Sequence, residues 1–338
     1  MIDYRTPENR AVLFEKLYTL NLEYGVMPGC VYLYFPALKA HLGWDDETAL
    51  WFAFLNGMTQ NPLTSLRLFE QLPAPPDVVE ISKFNVWFDD NWASLQFDTD
   101  RRYGKKETCK AIVSYTRAMA DYENSQTKMF AAQKDYHMLW CHVENRFHSF
   151  GRLTTFSYLE YLRIFGHGKD CTDMMFHDRG GSKSHRNGML FLQGLDHLVD
   201  DKRAKNDFDG NYGGPVQFMK MCGWLEEKAS EWMSNYKTIT QNRHPHAGFF
   251  TMESNLCQFK NGFFGRRYPG VYADMGWERL KWYKKNIGED KNYKLIMEIR
   301  EALPDWLRME KNADRFTLPE RAAIFPRTGV PYRAEHFL

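Results

Sequence analysis

Apolar residues along the first third of the chain recur at helical spacing. Between Pro7 and Gly25 they fall at Val12, Leu13, Leu17, Leu20 and Leu22, close to one face of a helix that the glycine would end. The following stretch, GWDDETALWFAFLNGMTQNPLTSLRLFEQLP, offers Asp45 or Asp46 as an N-cap and an apolar run from Leu50 to Leu55. A break is expected at Asn56 and Gly57, with a second helix from about Pro62. PAPP at 73–76 reads as a stiff connection. Further helices are expected over roughly 107–133, 216–236 and 293–307, with helical spacing between 135 and 166 interrupted near Gly151 and Gly166. Residues 203–215, RAKNDFDGNYGGP, read as a surface loop, and an irregular tail closes the chain. No sustained alternation suggests a sheet, so the pattern predicts a mainly α fold, with a helical domain over 1–285 and a C-terminal helix and tail over 286–338 packed on it.

Composition narrows the function classes. At 338 residues and 43% hydrophobic, the chain can bury a substantial core, which excludes dominant disorder. A net charge of +1 means that any nucleic-acid binding must come from local patches. The six cysteines are scattered without a C-x-x-C pair, arguing against a zinc ribbon or redox dithiol and for reduced thiols. No apolar stretch approaches the roughly 20 residues that span a bilayer, and the first residues lack a signal-peptide core; a cytoplasmic protein without a membrane partner is expected. Aromatics reach 16%, which suits either a Trp-rich core or a protein that stacks flat ligands.

Four segments carry candidate chemistry. HDRGGSKSHRNG superficially resembles a phosphate-binding loop, but Ser182 stands where that loop needs glycine and no hydrophobic strand precedes it. A glycine turn with Lys183 and Ser184, a helix from Arg186 through Leu192 and an acidic ending at Asp196 fit better with a helix-hairpin-helix-like element, whose backbone amides grip a DNA phosphate; a plain helix-start loop is the alternative. His177 and His185 flank that turn, where either could contact phosphate or act as an acid, while His137 and Cys141 share a helical face without enough partners for a metal site. DTDRRYGKKE sets Asp98 and Asp100 beside Arg101 and Arg102 amid Trp87, Trp92, Phe97 and Tyr103: a solvated charge cluster, or a pocket for a base and its phosphates. In TMESNLCQFKNGFFGRRYPGVYADMGWERL, a helix over about 251–260 would put Glu253, Cys257 and Lys260 on one face, while the turn after it presents Arg266 and Arg267, suited to clamping a diphosphate. A salt-bridged surface helix is the plain alternative.

Together, FDTDRRYGKK, GRLTTFSYLEYLR, DRGGSKSHRNGMLFLQG and MESNLCQFKNGFFGRRYPGVYADMGWERL resemble the α-glutamyl/putrescinyl thymine pyrophosphorylases of phages and bacteria, also described as amino acid:DNA transferases, over roughly residues 10 to 285. The resemblance implies a helical fold related to DNA glycosylases. It also implies an enzyme that displaces pyrophosphate from 5-pyrophosphoryloxymethyluracil in DNA with an amino acid or polyamine, leaving a hypermodified base. Its partners would be DNA with a flipped base and a small amine donor; its place would be the host cytoplasm if phage-encoded. It implicates Asp100, Arg101 and Arg102, the turn from Gly181 to Asn187, and Glu253, Cys257, Lys260, Arg266, Arg267, Tyr268 and Asp274. The expected catalytic residues are Glu253 or Asp100 as base and Cys257 as a transient nucleophile or a structural thiol. Arg101, Arg102, Lys183, Lys260, Arg266, Arg267, Tyr268 and Asp274 are expected to bind the substrate and its pyrophosphate, and Trp87, Trp92, Tyr268 or Tyr272 to stack the base. No metal ligands are expected in the protein and no cofactor is assigned, Mg²⁺ on the pyrophosphate being the one candidate. A base-excision glycosylase and a non-catalytic DNA-binding protein of the same fold are the rivals; abasic product would mark the first, and affinity without pyrophosphate release the second.

Overall fold

The computed structural model describes residues 6–98, 104–178, 183–199, 212–311 and 317–330, and among them every regular element is helical. α1 (Pro7–Tyr24) begins on a proline, whose missing N–H is an orphan in any first turn, and ends on Gly25 in the left-handed conformation. α2 (Val31–Leu42) leads to α3 (Asp46–Thr59), capped by Asp45, whose carboxylate accepts the Thr48 N–H. α3 does not break at Asn56 and Gly57 as its pattern suggests; it stops only at Gln60, with φ 50°. The glycine serves packing instead, because a Cβ there would already touch the rings of Phe150 and Tyr158 at 3.4 Å.

α4 (Pro62–Gln71) starts at the expected proline, and α5 (Val78–Asn91) follows the PAPP connection on an Asp77–Glu80 capping box. The single helix expected over 107–133 is two, α6 (Thr108–Ala120) and α7 (Gln126–Ala131). Glu123 and Asn124 both take positive φ, and Ser125 then caps the new helix by accepting the Lys128 N–H. The chain continues through α8 (Tyr136–Arg146), α9 (Arg152–Ile164), α10 (Lys183–Leu192), α11 (Pro215–Ile239), α12 (Phe249–Phe263) and α13 (Val271–Asn286). α14 (Lys291–Arg300) ends short of the expected residue 307, ahead of Pro304. α15 (Leu318–Thr328) occupies what reads as an irregular tail; Glu320 accepting the Thr317 N–H at 2.7 Å is the capping signal for it.

Two compact units result, neither continuous in sequence: one takes 1–30, 171–277 and 303–338, the other 31–170 and 278–302. In the second unit α3 is the central helix, buried from Ala49 to Thr59 and packed on α4 and α9. Phe54 sits there between Tyr115, 4.1 Å away ring to ring, and a parallel Phe150 at 5.4 Å. In the first unit the central helix is α12, packed against α10, α1 and α15. α10 and α12 meet backbone to backbone, since a Cβ on Gly188 would lie 2.1 Å from the Leu256 carbonyl oxygen. Among the described residues no helix is long and apolar enough to cross a membrane.

Candidate active site

α12 is buried along most of its length although it carries Thr251, Glu253, Ser254, Asn255, Gln258 and Lys260. Each buried polar group therefore requires a partner. On the α1 side, Tyr18 Oη lies 2.7 Å from Thr251 Oγ1, and the Asn21 amide donates to Asn255 Oδ1 at 2.6 Å and Gln258 Oε1 at 2.8 Å. Gln258 in turn donates to the Tyr268 carbonyl at 2.6 Å, tying the helix to the turn that carries Arg266 and Arg267.

On the α10 side stand the acid and the thiol. Glu253 Oε1 lies 3.1 Å from Nδ1 of His185, whose side chain is wholly buried, though not in line for a standard hydrogen bond. His185 Nε2 is 2.8 Å from the Met174 carbonyl. That carbonyl belongs to a tightly held turn: Met175 takes φ 52°, so the N–H groups of Met174 and Phe176 both reach the Glu226 carboxylate, at 2.9 and 3.0 Å. The Phe176 carbonyl accepts from buried Arg186 at 2.7 Å, and Arg186 lies over the Phe218 ring. Burial pushes the Glu226 carboxyl above its ordinary value, with the two backbone N–H groups opposing.

Cys257 lies one turn along α12 from Glu253, with Sγ 3.0 Å from Ser184 Oγ. Burial pushes its thiol up and Glu253 adds to that, while the Ser184 hydroxyl, Arg267 and Lys260 pull the other way. The Tyr272 phenol is raised for the same first reason, again with Glu253 raising and Arg267 lowering. Glu253 and Arg267 thus both act on Cys257 and Tyr272, which sets acid and cation in one electrostatic neighbourhood. Arg267 is half-buried with its guanidinium 5.9 Å from the Tyr272 ring; its neighbour Arg266 is exposed. Lys260 is only 8% exposed and lies 5.3 Å from the Phe264 ring.

The structure brings together Glu253, Cys257, Lys260 and Arg267 but places other expected residues differently. Lys183 and Ser184 stand in the first turn of α10, ahead of the expected start at Arg186. Tyr268 is buried, its hydroxyl donating to Asp274 Oδ2 at 2.6 Å, and Asp274 also pairs with Arg321 of α15 at 3.2 Å. Asp100, Arg101, Arg102 and Gly181 lie outside the described residues. Within the second unit, cations cover the tryptophan faces, Lys105 Nζ 3.7 Å above Trp92 and Arg67 5.9 Å from Trp87. His137 and Cys141 are exposed on α8, and no group of three His, Cys, Asp or Glu side chains that could hold a metal occurs among the described residues.

A family model described as amino acid:DNA transferase matches residues 33–268, which include Glu253, Cys257, Lys260, Arg266 and Arg267. The chain belongs to that family. A protein named serinyltransferase, from Salmonella phage ViI, is 29% identical over 363 aligned residues, covering 99% of this chain and 84% of the relative. No solved structure matches the chain. The neighbourhood of Glu253 and Cys257 contains partners that sequence spacing did not reveal. Glu226 sits in an ordinary-looking stretch of α11, Arg321 in the tail, and the Met174–Phe176 turn has no motif. Only Met175's positive φ marks that turn, and it is a property of folded backbone.

Proposed function

We propose that the chain displaces pyrophosphate from 5-pyrophosphoryloxymethyluracil in DNA with the amino group of an amino acid. The nitrogen lone pair attacks the 5-methylene carbon, a C–N bond forms, the C–O bond breaks, and its electrons leave on pyrophosphate. Only the neutral amine attacks, so an ammonium donor must first lose a proton, and Glu253 takes it. Lys260 and Arg267, with Arg266 at the outer edge, stabilise the charge growing on the leaving group. The target base is extruded from the duplex at a cost of a few kcal/mol, with Tyr272 near the reacting groups. Asp274 and Tyr268 act by holding the arginine turn in place with Arg321.

The observation that carries this reading is the placement of a buried carboxylate, Glu253, and a nearly buried cation, Lys260, on one face of α12 within the family-matched region. Cys257 has a contact role in it, because a thiol pushed up by burial stays protonated near neutral pH. Serine is the first donor to test, since the phage relative is a serinyltransferase by name, with other amino acids and polyamines beside it. Binding of a DNA phosphate in glycosylase fashion by the segment around Lys183, and action in a host cytoplasm, belong to the same reading.

Incubating DNA that contains 5-pyrophosphoryloxymethyluracil with the protein and an amine panel, then identifying nucleosides by mass spectrometry, tests it. One new nucleoside per accepted amine, with pyrophosphate released, is expected. Abasic sites would indicate glycosylase chemistry instead, and unchanged DNA with every amine would remove the transfer reading.

A further inference from the structure

His185 has a feature that its burial makes consequential. A backbone carbonyl can only accept, so the nitrogen 2.8 Å from the Met174 oxygen, Nε2, carries a hydrogen. The second ring nitrogen, Nδ1, then faces Glu253 Oε1 at 3.1 Å inside the protein, with the histidine fully shielded from water. With no proton between them, two lone pairs would confront each other in a medium that screens poorly. With one proton on either group the contact is attractive, as an ion pair at 3.1 Å or, once the carboxyl turns into line, as a hydrogen bond.

We infer that His185 is a positioning residue for the transfer reaction: it shares one proton with Glu253 and makes the pair, rather than the carboxylate alone, the base that deprotonates the amine donor. This rests on the proposed role of Glu253. Before the reaction the position between Oε1 and Nδ1 is empty; the donor ammonium gives a proton to the Glu253 carboxylate, that proton is the one then held between Oε1 and Nδ1, and it passes to solvent after product release, while Nε2 keeps its hydrogen on Met174 throughout. Arrival of that proton removes the lone-pair confrontation, so proton transfer from the donor relieves an unfavourable contact inside the protein. Glu226 fixes the system from behind: by binding the N–H groups on both sides of Met175, it aims the Met174 carbonyl at Nε2 and sets the tautomer. Among the described residues, the charged and titratable groups around the pair are Glu226 on α11, Asp173 in the preceding turn, Arg186 on α10 itself, Cys257 and Lys260 on α12, Arg267 in the turn after it and Tyr272 on α13.

The test uses the full chain in two measurements. His185→Gln retains an amide donor for the Met174 carbonyl but cannot share a proton with Glu253. Its KM for modified DNA should stay within about twofold while kcat falls at least roughly tenfold. An unchanged kcat, or a loss carried by KM alone, would overturn the inference. The second measurement, nitrogen-15 NMR of the imidazole rings in the unsubstituted protein, needs neither activity nor a foldable variant. It should find His185 with Nε2 protonated and an Nδ1 signal that responds to Glu253→Gln; protonation at Nδ1 alone, or indifference to that substitution, would overturn it. Absence of transfer with every amine would refute the functional reading, while the NMR result would still decide whether the proton is shared.

Discussion

α3 and α12 are each the buried centre of their own unit, yet they are buried in opposite ways. α3 hides mainly apolar groups, Trp51, Phe52, Phe54 and Leu55 among them, so most of its burial is favourable in itself, and its two buried polar side chains, Asn56 and Thr59, both pair with Ser65 of α4. α12 hides a carboxylate, a lysine, two carboxamides and hydroxyls, each of which would be costly if left unpaired. The polar helix is therefore held by many specific contacts, from Tyr18 and Asn21 on one side to Ser184 and His185 on the other. Burial by apolar surface produces stability; burial of satisfied polar groups with a few left facing reactive neighbours produces a site.

The contrast breaks most visibly in stability and rate together. Phe54→Ala should cost about 3 to 5 kcal/mol in chemical denaturation, through lost aromatic burial, while leaving the transfer rate per folded molecule unchanged. Gly188→Ala should cost about 3 kcal/mol, because its Cβ collides with main chain that cannot swing away, and it should also depress the rate by shifting α10 against α12. Equal rate losses in the two variants would erase the distinction between the helices.

Acid stability sharpens the comparison at a finer level. Glu47 is partly buried, which raises its carboxyl, but hydrogen bonds from Thr127, Ser125 and Gln126 outweigh that and bring it down to about 2. A folded value below the ordinary 4.5 means the stabilisation is fully present above about pH 4.5 and is lost as pH falls toward 2. Glu226 also accepts two backbone N–H groups, yet burial wins and its carboxyl is raised, so protonating it favours the folded form. Glu47→Gln should accordingly flatten the fall in unfolding midpoint between pH 4.5 and 2, and Glu226→Gln should not. The smallest effect is expected at Cys257→Ser, with turnover within a few-fold of the unsubstituted protein; loss by roughly a hundredfold or more would restore the covalent role.

Much of this was legible in the residues themselves. Helical periodicity, the proline starts of α1 and α4, the Asp45 cap and the common face of Glu253, Cys257 and Lys260 all follow from local rules. The errors fell where tertiary context overrides them. Gly57 reads as a breaker but stays helical so that two rings can pack, and Glu123 and Asn124 break a helix whose apolar spacing continues past them. Arg266 and Arg267 read as an equal clamp, yet one is exposed and the other turns toward Tyr272. Tyr268 and Asp274 are drawn into a cluster with Arg321, and the arm that orients His185 depends on Glu226, some forty residues away along the chain, beyond the reach of spacing rules.

Single-turnover transfer to pyrophosphorylated DNA, comparing the unsubstituted protein with Glu253→Gln, bears most directly on the role of α12. The substituted protein should release pyrophosphate at least roughly a hundredfold more slowly while keeping its unfolding midpoint and its affinity for the DNA. An undiminished rate in that variant would contradict the role given to Glu253 and with it the reading of α12 as the catalytic wall.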